Sequence, residues 1–86
     1  MDIGEKIKKI REAEGFAQFG FCVETDINIG TLRGYESGRR KSIGSTELLK
    51  ITQHPRFTKY TLWLMTGQTA PEAGQISPDI EQSRTA

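Results

Sequence analysis

The segment formed by residues 18–35 constrains the fold of this chain more than any other feature. Small or apolar residues recur along it at the spacing of two short helices, at Phe21, Cys22, Ile27, Leu32 and Tyr35. Cys22 supplies the small side chain that a close helix crossing needs, since a buried free cysteine behaves as a small hydrophobe. Asp26 lies where the turn should fall, and Asp tolerates left-handed backbone angles better than most residues. The pattern therefore predicts two helices packed at a steep angle across a tight turn, the helix-turn-helix unit.

A basic run follows this unit directly, consisting of Arg39, Arg40 and Lys41. The second helix of such a unit fits the major groove of DNA, and a basic loop after it can bind phosphates. A charge run elsewhere in a chain is usually a solvated surface. The position of this run favours a DNA contact.

The rest of the chain predicts an all-α fold, because apolar residues recur at helical spacing and no alternating strand pattern of useful length is present. Asp2 and Asn28 are placed to cap the first and third helices, and Gly15 to end the first. Pro55 forces the fourth helix to end before it. We expect Leu48, Leu49 and Ile51 of that helix to face inward. The predicted helices cover residues 3–14, 18–25, 28–36, about 45–53 and 58–66.

The composition changes after Gly67. Residues 68–86 are rich in Gly, Pro, Ser, Gln and Thr, and they contain too few apolar residues to offset the entropy cost of ordering. We therefore predict one domain over residues 1–67 and a flexible C-terminal tail over residues 68–86. Ile76 and Ile80 are four residues apart, so they can form a short amphipathic turn against a partner. The body, residues 1–66, carries a net charge of +3 and residues 67–86 carry −2, which agrees weakly with a DNA binder.

Several functional classes find little support in the sequence. A single cysteine, Cys22, excludes an internal disulfide and a Cys-based zinc site within one chain. His54 is the only histidine and precedes a proline, and no phosphate-binding glycine loop is present. We expect no enzymatic activity, cofactor or metal. The apolar cluster at residues 62–65 is far too short to span a bilayer, and we expect a cytoplasmic bacterial protein without membrane contact.

The ordered set of motifs resembles the phage repressor and Cro family of helix-turn-helix regulators, the XRE-type group. The resemblance covers residues 3–67 and rests on residues 15–18 (Gly-Phe-Ala-Gln), residues 35–40 (Tyr-Glu-Ser-Gly-Arg-Arg) and residues 63–67 (Trp-Leu-Met-Thr-Gly). It implies a five-helix, lambda-repressor-like domain and a sequence-specific transcriptional regulator of phage or prophage origin. Two features depart from the family pattern: Ala17 replaces the usual Ser or Thr helix cap, and the connection at residues 54–57 is longer, so that Phe57 enters the core.

The resemblance also implies DNA-binding roles for particular residues. Gln18 bonds a phosphate or braces a reading side chain, and Ile29 meets a thymine methyl group. Arg33 is the best direct reader, because arginine can bond guanine O6 and N7 together; its alternative roles are a phosphate contact or an ion pair with Glu36 or Glu24. The implied DNA-binding set is Gln18, Asn28, Ile29, Gly30, Thr31, Arg33, Arg39, Arg40 and Lys41.

Gly34 falls where relatives often carry a base-reading side chain. With glycine there, the resemblance implies that sequence reading depends on Arg33, Ile29 and DNA shape. The basic residues after the helix are expected to lie along the phosphate backbone.

The fifth predicted helix is apolar on more than one face, which indicates burial on several sides. We predict a homodimer through Tyr60, Leu62, Trp63 and Met65, which would place two recognition helices about 34 Å apart on a palindromic operator. The alternative is that Trp63 and Leu64 only complete the core.

A second class of function stays open at this point. The same fold can serve as an antitoxin-like module that binds a protein partner through the fifth helix and the tail.

Overall fold

The structure, a computed structural model, describes residues 1–85. Within that range the chain forms six α-helices and two short 3₁₀ turns, and its β-structure is limited to one isolated bridge between Ala70 and Gln75. The α-helices are α1 (Ile3–Ala13), α2 (Gln18–Thr25), α3 (Ile29–Glu36), α4 (Ser45–Thr52), α5 (Thr61–Thr66) and α6 (Pro78–Thr85). The 3₁₀ turns are Thr58–Tyr60 and Pro71–Ala73. The predicted all-α class is confirmed.

Local sequence signals set the ends of the helices. The Asp2 carboxylate accepts a hydrogen bond from the Glu5 amide at 2.9 Å, and Asn28 Oδ1 accepts from the Gly30 amide at 2.8 Å. These side chains satisfy amide groups that the first turn of a helix leaves without partners. Ala17 makes no such bond at the start of α2, as its methyl side chain requires.

The turn between α2 and α3 has the predicted geometry. Asp26 adopts a left-handed conformation with φ 61° and ψ 31°, and its amide donates to the Cys22 carbonyl at 2.8 Å. Lys50 of α4 donates to the Asp26 carbonyl at 2.8 Å. Ile27 then enters the core with 3% of its surface exposed. The turn is therefore held from both sides, and the helix-turn-helix unit is fixed on the body.

A single hydrophobic core lies beneath these helices. Phe21 of α2 contacts Phe57 with ring centroids 4.9 Å apart, and Phe57 is buried as expected. Each large apolar side chain buried in this way contributes about 1.5–3 kcal/mol. The cluster consists of Ile7, Ile10, Phe21, Cys22, Ile27, Leu32, Tyr35, Ile51, Phe57, Tyr60, Leu64 and Ile76.

Gly4 allows α1 and α3 to pack in close contact. A Cβ at this position would lie 1.8 Å from the Tyr35 carbonyl oxygen, a distance that no side chain tolerates. Only glycine permits this approach. Sequence analysis did not identify this role.

The C-terminal segment differs from the flexible tail that we predicted. Ile76 is buried with 1% of its surface exposed, and its amide donates to the Lys59 carbonyl at 2.9 Å. The Gln75 side chain accepts from the Leu62 amide at 2.9 Å and donates to the Thr58 carbonyl at 3.1 Å. Helix α6 then packs against α1. Within residues 68–85, the segment is therefore part of the folded body.

The prediction of a flexible tail was wrong because it considered only how few apolar residues this segment contains. Two isoleucines, Ile76 and Ile80, provide the apolar contacts of this segment with the core, and the polar Gln75 provides backbone hydrogen bonds that composition does not reveal. The two isoleucines do share a helical spacing, but they cover the protein's own body. A second expectation was also wrong: Leu49 is 46% exposed, whereas Ile51 is buried.

Candidate nucleic-acid interface

Helix α3 is attached to the body by one face and exposed on another. Leu32 and Tyr35 are buried, while Asn28, Gly30 and Arg33 are exposed. This division is the one a groove-binding helix requires, because the attached face fixes its position and the other face is accessible.

Two residues of the predicted DNA-binding set are less accessible than expected. Ile29 is half-buried and packs against the core cluster, and Thr31 is half-buried as well. Ile29 therefore presents only part of its side chain to a ligand.

A chain of hydrogen bonds connects Arg33 to the interior. Arg33 Nε donates to Gln18 Oε1 at 3.3 Å, and Gln18 Nε2 donates to Glu36 Oε1 at 3.1 Å. Glu36 thus fixes the orientation of the Gln18 amide, so that the amide oxygen faces Arg33. Of the roles considered for Gln18, this geometry supports bracing of a reading side chain.

The inner end of this chain is a buried ion pair. Arg11 Nε and Nη2 donate to the two Glu36 carboxylate oxygens at 2.8 and 2.9 Å, and Arg11 Nη1 donates to the Phe16 carbonyl at 2.8 Å. The side chains of Arg11 and Glu36 are 11% and 5% exposed. The hydrogen bonds to Glu36 raise the pKa of Arg11 despite its burial. The paired planar groups make this a rigid support for Gln18.

The same residues line an open cleft of about 350 Å³, formed by Lys8, Arg11, Gln18, Arg33, Glu36 and Ser37. Three of these side chains are cationic and one is anionic, so the cleft carries a positive balance. Such a cleft suits an anionic ligand such as a phosphate.

The basic loop lies next to α3. Arg39, Arg40 and Lys41 are exposed, and Gly38 starts the loop with φ 80°. The Arg40 amide donates to the Gly34 carbonyl at 2.9 Å. The loop is therefore anchored to α3 by its backbone.

Arg40 covers Gly34. A Cβ built on Gly34 would lie 2.9 Å from Arg40 Cδ and 3.0 Å from Arg40 Cγ. Gly34 is buried, and the atoms nearest to this point all belong to Arg40. The absence of a side chain at position 34 thus leaves space that a side chain from the loop occupies.

One residue of the predicted dimer surface is not at the surface. Tyr60 is fully buried, and its hydroxyl donates to Glu14 Oε2 at 2.7 Å. The expectation for Tyr60 was wrong because the fifth predicted helix begins with a 3₁₀ turn, which directs Tyr60 into the core.

The other predicted dimer residues differ in exposure. Trp63 is half-buried against the core, with Lys6 Nζ 5.6 Å from its ring centroid. Leu62 is half-buried and Met65 is 57% exposed. Leu62 and Met65 line an open groove of about 710 Å³ together with Leu49, Thr52, Gln53, Thr58, Thr61, Ala70, Ala73 and Gln75.

Neither Cys22 nor His54 shows the surroundings of a reactive group. Burial raises the pKa of the Cys22 thiol and so favours its unreactive form. His54 Nε2 lies 3.0 Å from Glu24, and Nδ1 accepts from the Arg56 amide at 3.1 Å. Residues 1–85 contain no cluster of three or more His, Cys, Asp and Glu side chains that would hold a metal ion. In the same range no helix is both long and apolar enough to cross a bilayer.

Sequence analysis did not connect Arg11 with Glu36, and it considered Glu36 only as a partner of Arg33. The two residues are 25 positions apart, and no periodicity relates them. The available signal was chemical: Glu36 lies on a helix whose neighbouring positions are buried, so its charge needs a partner.

The comparisons with known proteins agree with this geometry. No protein-family model matches the chain. The chain is 48% identical over 79 residues to Repressor protein C of Escherichia phage P2, an alignment that covers 91% of this chain and 78% of that protein. Identity at this level over nearly the whole chain shows common ancestry, and the α2–α3 unit is the one that the resemblance implied. The chain therefore belongs to the phage repressor family of helix-turn-helix transcriptional regulators.

Proposed function

We propose that this protein is a sequence-specific repressor that inserts α3 into the major groove of double-stranded DNA. One observation carries the proposal: Arg33 stands exposed on α3, is braced by Gln18, and lies on the helix that anchors the basic loop. An arginine held in this way can donate two parallel hydrogen bonds to guanine. The phage P2 relative is a repressor protein, which supports the same conclusion.

Phosphate contacts supply most of the affinity in this proposal. Arg39 and Lys41 are exposed beside α3, and each phosphate neutralised by such a residue adds about −0.9 to the slope of log affinity against log salt. Lys8 lines the cleft next to Gln18, so it adds a further cation on the same side.

We propose a homodimer as the binding unit. Leu49 and Met65 are exposed apolar residues on one groove, and exposed apolar groups in a groove favour association. Two copies joined by a two-fold axis read a palindrome, with half-sites about one helical turn apart. Sedimentation equilibrium of the wild type and of Met65→Glu tests this: the variant should dissociate at concentrations where the wild type is dimeric.

Selection of bound sequences from random duplex DNA tests the function directly. We expect the wild type to enrich a palindrome. Arg33→Ala should then lose discrimination at one base pair of each half-site by roughly 5- to 150-fold, whereas Lys41→Ala should weaken binding to all duplexes alike. Arg84→Ala, which removes a cation from α6, serves as the matched control and should change little.

The proposal fails if the selection enriches no sequence at low salt. If a protein partner co-purifies and still binds Arg33→Ala, the protein-interaction alternative gains the support that DNA binding then lacks.

A further inference from the structure

We infer that Arg40 is a specificity-determining residue, which contacts base edges from the position that Gly34 leaves empty on the recognition helix. This inference rests on the proposed DNA-binding function and refines it. It changes the expected role of Arg40 from a phosphate contact to a reader of sequence.

The first support is the packing of the Arg40 side chain. Its Cγ, Cδ and Nε atoms lie 3.0, 2.9 and 3.2 Å from the point where a Gly34 Cβ would be. The stem of Arg40 therefore crosses α3 in the place of a side chain at position 34. Any residue larger than glycine would displace it.

The second support is the face of α3 on which Gly34 lies. Gly34 follows Gly30 by four residues, so the two share one face of the helix. Gly30 is exposed near the start of α3, next to its Asn28 cap. The Arg40 side chain therefore lies one turn beyond Gly30 on the same face of α3. That face is exposed at the helix N-terminus, which is the end that enters the groove in a helix-turn-helix unit.

The third support is that the Arg40 guanidinium has no partner of its own. Among residues 1–85 no hydrogen bond or ion pair to the Arg40 side chain is found, in contrast to Arg11 and Arg33, whose guanidinium groups are bonded. The backbone of Arg40 is fixed by its bond to the Gly34 carbonyl at 2.9 Å. The residue therefore combines a fixed backbone with guanidinium donors that have no partner among the described residues, which lowers the entropy cost of forming bonds to a base.

The chemical consequence is discrimination at a second base pair. A guanidinium on a phosphate attracts every duplex equally, whereas one aligned with guanine O6 and N7 selects that base. Arg33 lies on α3 and the Arg40 side chain packs over the adjacent Gly34, so we expect two preferred guanines in each half-site. One depends on each arginine.

The experiment measures affinities of purified full-length variants for the selected duplex and for single-base-pair substitutions of it, over a range of salt concentrations. We expect Arg40→Lys to keep the salt slope of the wild type but to reduce discrimination at one base pair by about 10-fold. Arg40→Ala should lose the same discrimination with little change in the salt slope, because a base contact neutralises no phosphate. Arg84→Lys on α6, outside the proposed interface, is the matched control and should leave discrimination unchanged.

Gly34→Ala provides an independent variant that changes no charge. The added methyl group meets the flexible stem of Arg40 and not the backbone, so the helix should remain folded. We expect it to reduce discrimination at the base pair that Arg40→Lys affects, and the double variant should lose little more than either single one. Should Gly34→Ala unfold the protein, Arg40→Lys alone decides the question.

The inference is overturned if Arg40→Ala weakens binding to all duplexes by the same factor, or if Gly34→Ala preserves every base preference. Either result leaves the proposed function intact as long as the wild type selects a sequence. A wild type without any preferred sequence defeats the proposed function itself, and the two failures are therefore distinguishable.

Discussion

Two polar networks begin three residues apart at the C-terminal end of α1, at Arg11 within the helix and at Glu14 directly after it, and they serve different parts of the molecule. The interface network starts at Arg11 and runs through Glu36 and Gln18 to Arg33, whose guanidinium is exposed. The anchor network starts at Glu14, whose carboxylate accepts from the Tyr60 hydroxyl at 2.7 Å and lies 3.0 Å from Lys59 Nζ.

The anchor network ends on the C-terminal helix. Lys59 Nζ lies 2.6 Å from Glu81, which belongs to α6. Burial alone raises the pKa of Glu14, but the hydrogen bonds from Tyr60 and Lys59 outweigh it, so that the pKa of Glu14 is lowered overall. The pKa of Lys59 is raised, because its bonds to Glu81 and Glu14 exceed the opposing effect of its burial.

The difference between the networks lies in where each one ends. The interface network ends in an exposed charged group, Arg33, whereas the anchor network connects separate elements of the body to one another. Variants in the interface network should therefore change stability and DNA affinity together. Variants in the anchor network should change stability alone.

The largest effect is expected for Glu36→Ala. Removal of one partner from a buried ion pair leaves the other charge uncompensated, which costs about 3–5 kcal/mol. Arg11 is the partner left behind here. Urea denaturation measures the loss, and the double variant Arg11→Met/Glu36→Met should recover part of it. In the single and the double variant, discrimination at the base pair contacted by Arg33 should fall, because Gln18 loses the support of Glu36. Unchanged discrimination would show that the ion pair affects stability but not base recognition.

Ile76→Ala is expected to come next. The side chain is 1% exposed within the core, and truncation of a buried isoleucine to alanine costs about 2–5 kcal/mol. Thermal or urea unfolding should show this loss of stability. Under conditions where Ile76→Ala remains folded, it should bind DNA like the wild type. Ile80→Ala, which is only partly buried, should lose less. A negligible loss of stability in Ile76→Ala would contradict this packing and support the flexible tail that composition predicted.

Tyr60→Phe should have a smaller effect. It removes a hydrogen bond to the buried Glu14 carboxylate, and a bond to a charged group contributes about 1.5–3 kcal/mol. The ring itself stays in the core. Chemical denaturation at neutral pH measures the change, and DNA affinity should not move. A parallel loss of affinity would contradict the separation of the two networks.

The smallest effect concerns pH. Because the pKa of Glu14 is lowered on folding, its contribution to stability is present above the ordinary glutamate value of 4.5 and is lost as the pH falls through the folded pKa. Wild type and Glu14→Gln should therefore differ in unfolding free energy at pH 7 and converge below pH 4.5. A difference that persists undiminished at low pH would show that the contribution of Glu14 is not electrostatic.

Sequence reasoning predicted the α2–α3 unit better than the anchor network. The positions of α2 and α3, the Asn28 cap and the left-handed Asp26 all follow from local chemistry, because each signal lies within a few residues of its effect. The exposure of Arg33 follows from helical periodicity in the same way.

The errors concern contacts between distant segments. A continuous helix over residues 58–66 would place Tyr60 on the surface. Its hydroxyl instead binds Glu14, 46 positions away. The order of residues 71–85 depends on bonds such as that from the Ile76 amide to the Lys59 carbonyl. The placement of Arg40 on Gly34 depends on the path of a loop. No local sequence pattern predicts these contacts of Tyr60, Ile76 and Arg40.

The missing side chain at Gly4 has a consequence for the geometry of binding. A methyl group there would require the Tyr35 carbonyl to retreat by more than an ångström, and this carbonyl belongs to the segment that carries both Arg33 and Glu36. Such a displacement would move α3 relative to α1. In the proposed complex, the placement of α3 in a major groove would thus depend on the smallest residue of the first helix.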